Sequence, residues 1–206
     1  MRKKLIFVLA IFLVSLPVLA ENVMITLQLN RLSIANSPYK DLYGSPKYSP
    51  EGKISVRMFG NIYLWGSFGY ISSSYNWDDW SHKGIAQPDL EGENILERLI
   101  FSGGLGYYMG YMGRGQLSIK FELGACGINH GTETNLRTAS PREIISSSTQ
   151  KDTGFGGRVN FGITYGLLKN IFGVVEIGFM YVPDTIDDKT STLGGFRLST
   201  GIGLVL

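Results

Sequence analysis

The sequence predicts an all-β chain, folded as an eight-stranded antiparallel up-and-down barrel that crosses a membrane. Apolar and polar residues alternate in many short stretches, most clearly from Gln116 to Ala125, as in strands with two different faces. Glycine contributes 27 of the 206 residues, and no long amphipathic helical pattern is present. Connections between the stretches alternate long and short, which is typical of a barrel with one loop end and one turn end.

Residues 1–20 have the features of a secretory signal peptide, so residues 21–206 are expected to form the barrel domain. A basic cluster at residues 2–4 precedes an apolar core, and small residues at Val18 and Ala20 mark a cleavage site. Cleavage removes three of the 19 bases and leaves 16 against 17 acids. This balance gives no basic stripe for nucleic acid, and no motif predicts a cofactor. The lone Cys126 excludes a disulfide framework.

The first half of the mature chain carries four alternating stretches. The expected strands are residues 23–33, 53–59, 63–72 and 98–108. Polar segments at 35–52 and 73–96 are long loops, and Gly60-Asn61 predicts a tight reversal between the second and third strands. The second strand has only seven residues and is expected to extend into its loop to span a bilayer.

The second half repeats this arrangement. The expected strands are residues 116–128, 155–167, 174–181 and 196–206. Short connections at 110–115 and 168–170 alternate with long polar loops at 129–152 and 183–191. The sixth strand shows the cleanest alternation, with Phe and aliphatic residues opposite Gly and polar residues. Eight strands therefore close with four long loops at one end.

Charged residues within the strands share one parity, and most strand glycines lie on that parity too. The charges are Arg57, Lys120, Glu122, Arg158, Glu176 and Arg197. Because a narrow eight-stranded lumen is filled by side chains, we expect these residues to form an internal ion-pair network, with Phe and Tyr facing lipid. The alternative is a small passive pore. Such a pore would prefer anions, because Lys120 has no acid left to pair with and the lumen would carry a net positive charge.

Acidic residues indicate which end of the barrel lies in water. Fourteen of the 17 acids, Glu51 among them, lie in or at the edge of the four long loops. A soluble lipocalin-like barrel would carry its apolar parity inward, which the glycine pattern disfavours. The chain resembles the small eight-stranded outer-membrane barrels of the OmpA, OmpX and Opa type over nearly its whole mature length, although its last residue, Leu206, is not aromatic as is typical of them.

The resemblance implies a bacterial outer-membrane protein with a structural or adhesive role through extracellular loops. Its partners would be the lipid bilayer and lipopolysaccharide, with an extracellular protein or glycan as a further ligand. The candidate loop site comprises Tyr75, Trp77, Asp78, Asp79 and Trp80, whose aromatic rings can stack on a glycan or anchor a protein. The alternative is packing within the loop. The acids lack ordered ligand spacing, so no metal site is predicted.

A lipid A-modifying enzyme is a further alternative, since some barrels of this size use a histidine with serine and a carboxylate. His82 and His130 are the only histidines, and neither lies in a motif that predicts a catalytic triad. We therefore expect a protein that is not an enzyme. Cys126 lies on the lumen parity without a basic neighbour, which predicts a buried, unreactive thiol.

Overall fold

The computed structural model describes residues 23–34, 48–77, 90–110, 114–138, 144–186 and 189–206. Eight strands form a closed antiparallel barrel, which confirms the predicted fold class. The barrel strands are β1 (Val23–Ile34), β2 (Ser49–Phe59), β3 (Ile62–Trp77), β4 (Leu90–Met109), β5 (Leu117–Thr138), β6 (Ile144–Gly166), β7 (Ile171–Tyr181) and, after the hairpin β8 (Pro183–Ile186) and β9 (Lys189–Thr192), β10 (Gly195–Val205). Each barrel strand pairs with its neighbours along the chain, and β1 closes the barrel against β10. The signal segment, 1–20, lies outside the described residues.

Side chains of the apolar parity lie on the outer wall. Leu27 is 65% exposed, Phe68 58% and Leu123 60%, and similar residues occur on every barrel strand. Polar side chains of the opposite parity are buried inside, including Lys53 and Glu122. An apolar belt of this extent around a polar interior is the pattern that lipid requires of a membrane barrel. Within the described ranges, no helix is long and apolar enough to cross a membrane.

The turn end follows the predicted signals. Gly60 has a φ of 54°, a left-handed conformation that glycine adopts without steric cost, and it reverses the chain between β2 and β3. β2 begins at Ser49 and has 11 residues, so it does extend into the preceding loop. The short connection from β6 to β7 lies at residues 167–170.

The barrel is much taller on one side. β1, β2, β7 and β10 have 11 or 12 residues, the length that spans a bilayer at a tilt, whereas β4, β5 and β6 have 20, 22 and 23. Within the segments expected to be long loops, 73–96 and 129–152, the described residues 73–77, 90–96, 129–138 and 144–152 are strand, which corrects the sequence prediction. Their alternation is hard to read because both faces of these extensions are polar.

On several strands the outward-facing side chains change from apolar to polar toward the loop end of the barrel. Arg31 follows Leu29 on β1, and Thr153 precedes Phe155 on β6. Ser72 of β3 pairs with Glu97 of β4 at the same boundary. Beyond it, β3 to β6 continue as a four-stranded extension, which we call the projecting sheet. It comprises residues 72–77, 90–97, 129–138 and 144–153.

Candidate functional site

The barrel interior is arranged in three layers. Nearest the turns is an aromatic layer, where Met24, Tyr108, Phe172 and Val174 pack together with partly buried Tyr63 and Val205. A charged layer follows at mid-height. An apolar layer lies at the loop end and contains Leu32, Ile71, Leu96, Ile100, Cys126, Ile128, Met180, Val182 and Leu193. Along β7 the order is visible directly, since Phe172, Glu176 and Met180 face inward in succession.

The charged layer contains two lysines that bridge two glutamates. Lys53 Nζ lies 2.6 Å from Glu122 Oε2 and 3.0 Å from Glu176 Oε1. Lys120 Nζ pairs with Glu176 and lies 3.5 Å from Glu122 Oε1. Neutral side chains donate further hydrogen bonds to the carboxylates; Asn160 Nδ2, for example, donates to Glu122 Oε2 at 2.9 Å. The four charges are essentially inaccessible to water, so their mutual pairing is what offsets their desolvation.

Two arginines extend this layer toward the loop end. Arg158 Nη2 lies 2.7 Å from Glu51 Oε1, and Arg197 pairs with the other oxygen of the same carboxylate. Arg197 Nη2 also lies 3.3 Å from Glu176 Oε2, which joins the two halves. Asn30 donates to Glu51 at 3.0 Å. The layer thus holds four cations and three carboxylates in one connected network.

The structure brings together five of the six charges proposed from the sequence. Lys120, Glu122, Arg158, Glu176 and Arg197 all belong to the charged layer. Arg57 does not: its side chain is exposed at the turn end, where its Nε donates to the Gly60 carbonyl at 2.6 Å. It lies on the lumen parity, but beyond Ser55 the strand leaves the closed interior.

Sequence reasoning missed Glu51 and Lys53, each of which pairs with two other members of the network: Glu51 with the two arginines, and Lys53 with the two other glutamates. Glu51 was expected to lie in a loop with the other acids, and it is buried instead. The alternation of β2 could have revealed both residues, because Ser49, Glu51, Lys53 and Ser55 all lie on the inward-facing parity of this strand. A Pro at position 50 obscured that strand, although its outward side chain fits β2.

Several aromatic side chains lie inside the barrel, contrary to the expectation that they face lipid. Trp65 is 2% exposed, and the Lys53 ammonium and Arg158 guanidinium each lie 5.4 Å from its ring centroid. Glycines provide the space: a Cβ on Gly124 would lie 2.8 Å from the Trp65 ring, and one on Gly106 would lie 3.1 Å from that of Tyr108. Inward glycines therefore make room for aromatic rings as well as for charges.

The apolar layer closes the interior below the loops. Val182 and Leu193, which flank the β8–β9 hairpin, are fully buried in it. Arg98 Nη1 donates to the Leu193 carbonyl at 2.8 Å and holds this segment against β4. Because an ion would lose its hydration against this layer, the arrangement does not favour conduction through the barrel.

The remaining candidate residues that the structure describes lie near the loop end. His130 is buried, and its β5 position pairs with Arg98 on one side and Asp152 on the other. Cys126 is a buried free thiol. Tyr75 and Trp77 belong to the end of β3, where the backbone pairs with β4. The other loop candidates, Asp78, Asp79 and Trp80, lie outside the described residues, as does His82.

Together, the closed eight-stranded topology, the apolar outer belt and the packed polar interior define a membrane-spanning β-barrel of the outer-membrane type.

The chain is similar in fold to solved outer-membrane barrels. One is the N-terminal barrel domain of Pseudomonas aeruginosa OprF, with 16% sequence identity and a TM-score of 0.48. Another is Neisserial surface protein A, with 15% sequence identity and a TM-score of 0.47. Each of these two matches covers 89% of this chain and 96% of the other chain. Ail, the attachment invasion locus protein of Yersinia pestis, has 12% identity and a TM-score of 0.42, covering 89% and 97%. At these identities the similarity concerns the fold alone. No protein-family model matches the sequence, and no curated protein sequence is significantly similar to it.

Proposed function

We propose that this barrel is a surface adhesin that binds an extended segment of an external protein along the edge of its projecting sheet. The observation that carries the proposal is the open edge of β6. β7 pairs with β6 only from Gly157 onward, and in the described part of the chain no strand pairs with the same edge of residues 144–153. An unpaired edge offers a row of backbone donors and acceptors to an incoming strand.

The composition of this edge suits strand addition. The segment from Ile144 to Thr153 contains Ser and Thr in abundance, one Lys, one Asp and no Pro or Gly. The side chains of residues 146–153 are all exposed. Proteins that avoid such pairing place several charges or prolines on an edge. In this segment only the charges of Lys151 and Asp152 oppose the addition of a strand.

The opposite edge of the projecting sheet carries two of the aromatic candidates. Tyr75 and Trp77 lie at the end of β3, opposite Asn94 and Gly92 of β4. We propose that these two residues, with Asp78, Asp79 and Trp80, provide a second contact for a protein or glycan ligand, because aromatic side chains supply contact area at low entropic cost.

Two proline variants test the β6 edge. Successive residues of a strand direct their N–H groups to opposite edges, so one of Ser147→Pro and Ser148→Pro removes a hydrogen bond to β5 and the other removes a donor from the open edge. Binding of cells that display the protein to immobilised extracellular matrix proteins is the measurement. We expect the open-edge variant to lose binding about tenfold while an unboiled gel still shows a folded barrel.

A deletion of residues 133–149, joining the paired residues Thr132 and Gln150 through an Asn-Gly turn, removes most of the β5–β6 extension. It should leave the membrane barrel intact and abolish adhesion. Adhesion that survives this deletion, or wild-type protein that binds no member of the matrix panel, would contradict the proposal.

A further inference from the structure

A groove crosses the outer wall of the barrel over β2. Leu27, Gly52 and Phe68 are neighbours in register on β1, β2 and β3, and the missing side chain at Gly52 leaves a gap between two large ones. Pro50 and Tyr70 continue the groove toward the loop end. Its volume is about 360 Å³. Leu27 and Phe68, 65% and 58% exposed, form its two sides within the apolar belt.

The position and size of the groove define its occupant. It lies in the loop-end half of the belt, where the outer leaflet supplies the surrounding molecules. The groove is narrow and bounded on both sides by large apolar side chains, so it fits one acyl chain rather than a whole lipid.

Polar groups stand at the loop end of the groove. Arg31 is exposed on the outer face of β1, two residues beyond Leu29. The pairing of Asn30 with Ser49 places the exposed Tyr48 beside it. On the other side, the Tyr70 hydroxyl donates to Glu97 at 3.0 Å, which engages the nearby carboxylate. The guanidinium of Arg31 is suited to a phosphate, which it can bind through two parallel hydrogen bonds.

We infer that this groove is a binding site for one molecule of lipid A, with an acyl chain over Gly52 and a phosphate at Arg31. The inference does not depend on adhesion, because it concerns the membrane face rather than the projecting sheet. A lipid held there would occupy a defined site, in contrast to the exchanging lipids around the rest of the belt.

The test is to titrate the detergent-solubilised, folded barrel with lipid A and to measure bound lipid by native mass spectrometry. Gly52→Leu fills the groove, and a Cβ at that position meets only Leu27 Cδ2 at 4.0 Å, so the fold tolerates it. Gly66→Leu is the matched control, since Gly66 lies on the same outer wall and its Cβ would meet only the Ser102 carbonyl at 3.9 Å. Unboiled gels verify that each variant is folded.

We expect Gly52→Leu to weaken lipid A binding about tenfold and Gly66→Leu to change it less than about twofold. Arg31→Gln should weaken binding of phosphorylated lipid A about fivefold and leave dephosphorylated lipid A unaffected. Equal losses in the two glycine variants would overturn the site, because they would indicate nonspecific association with the belt. Equal retention of phosphatidylglycerol and lipid A by the wild-type protein would overturn the choice of lipid A.

Discussion

At the scale of single residues, the charged layer is notable for its imbalance. Four cations, Lys53, Lys120, Arg158 and Arg197, face three carboxylates in a space closed to water. Each carboxylate is therefore shared by at least two cations. Burying charges is costly unless they are paired, so the loss of a carboxylate should be harder to accommodate than the loss of a cation.

We predict that Glu176→Gln lowers the free energy of unfolding by about 3 kcal/mol, because it leaves four buried cations facing two carboxylates. Lys53→Met should cost less, since it leaves three of each sign. Urea unfolding of the protein in lipid vesicles, followed by tryptophan fluorescence, measures both, and Trp65 reports on the layer directly. Lys169→Met in the exposed β6–β7 turn is the control and should have little effect. A larger cost for Lys53→Met than for Glu176→Gln would refute the role of net charge.

At the scale of elements, neighbouring strands fit together by pairing glycine with an inward ring. Gly203 of β10 is the register partner of Phe172 of β7, and a Cβ on Gly203 would overlap the Phe172 ring. The three heavy atoms nearest to that Cβ all belong to this one side chain. The steric restriction on Gly203 should therefore depend on Phe172 rather than on the backbone.

Gly203→Ala should destabilise the barrel by about 2 kcal/mol, because the ring must leave its place in the aromatic layer. In a Phe172→Leu background the same substitution should cost almost nothing further, and a double-mutant cycle on unfolding free energies measures the difference. Gly157→Ala is the matched control, as its Cβ would meet only a carbonyl oxygen 4.0 Å away. Additive losses from the two substitutions would place the restriction in the backbone instead.

The strands differ in how well the sequence predicts them, and the difference depends on what each strand face contacts. The membrane part of β6 alternates clearly because Phe161 meets lipid while Asn160 meets the charged layer. The extension of β6 has water on its exposed faces, so Ser147 and Ser148 serve equally well on either side and no alternation results. Glu51 was misplaced for a related reason, since a charge after a polar loop resembles loop sequence unless the parity of β2 is followed back.

At the scale of the whole molecule, the sequence predicted closure, strand order and the lipid-facing side, because all three depend on parity and connection length. It did not predict the unequal height of the wall. That asymmetry gives the molecule two distinct surfaces: a lipid-facing belt, with the groove over Gly52, and a projecting sheet in water. The three-layered interior connects them as a packed solid, which suits a rigid support for binding more than a channel.

The orientation of this support gives a final prediction, that the projecting sheet faces the outside of the cell and the short turns face the periplasm. Ser148→Cys places a thiol on the exposed extension of β6, and Lys169→Cys places one in the exposed β6–β7 turn. Native Cys126 is buried, so the wild-type protein should remain unlabelled and provide the background. With intact cells and a maleimide on a polyethylene glycol too large for porins, we expect labelling of Ser148→Cys alone. Lys169→Cys should react only after the outer membrane is permeabilised, and the reverse pattern would place the projecting sheet in the periplasm, where it could not act as an adhesin.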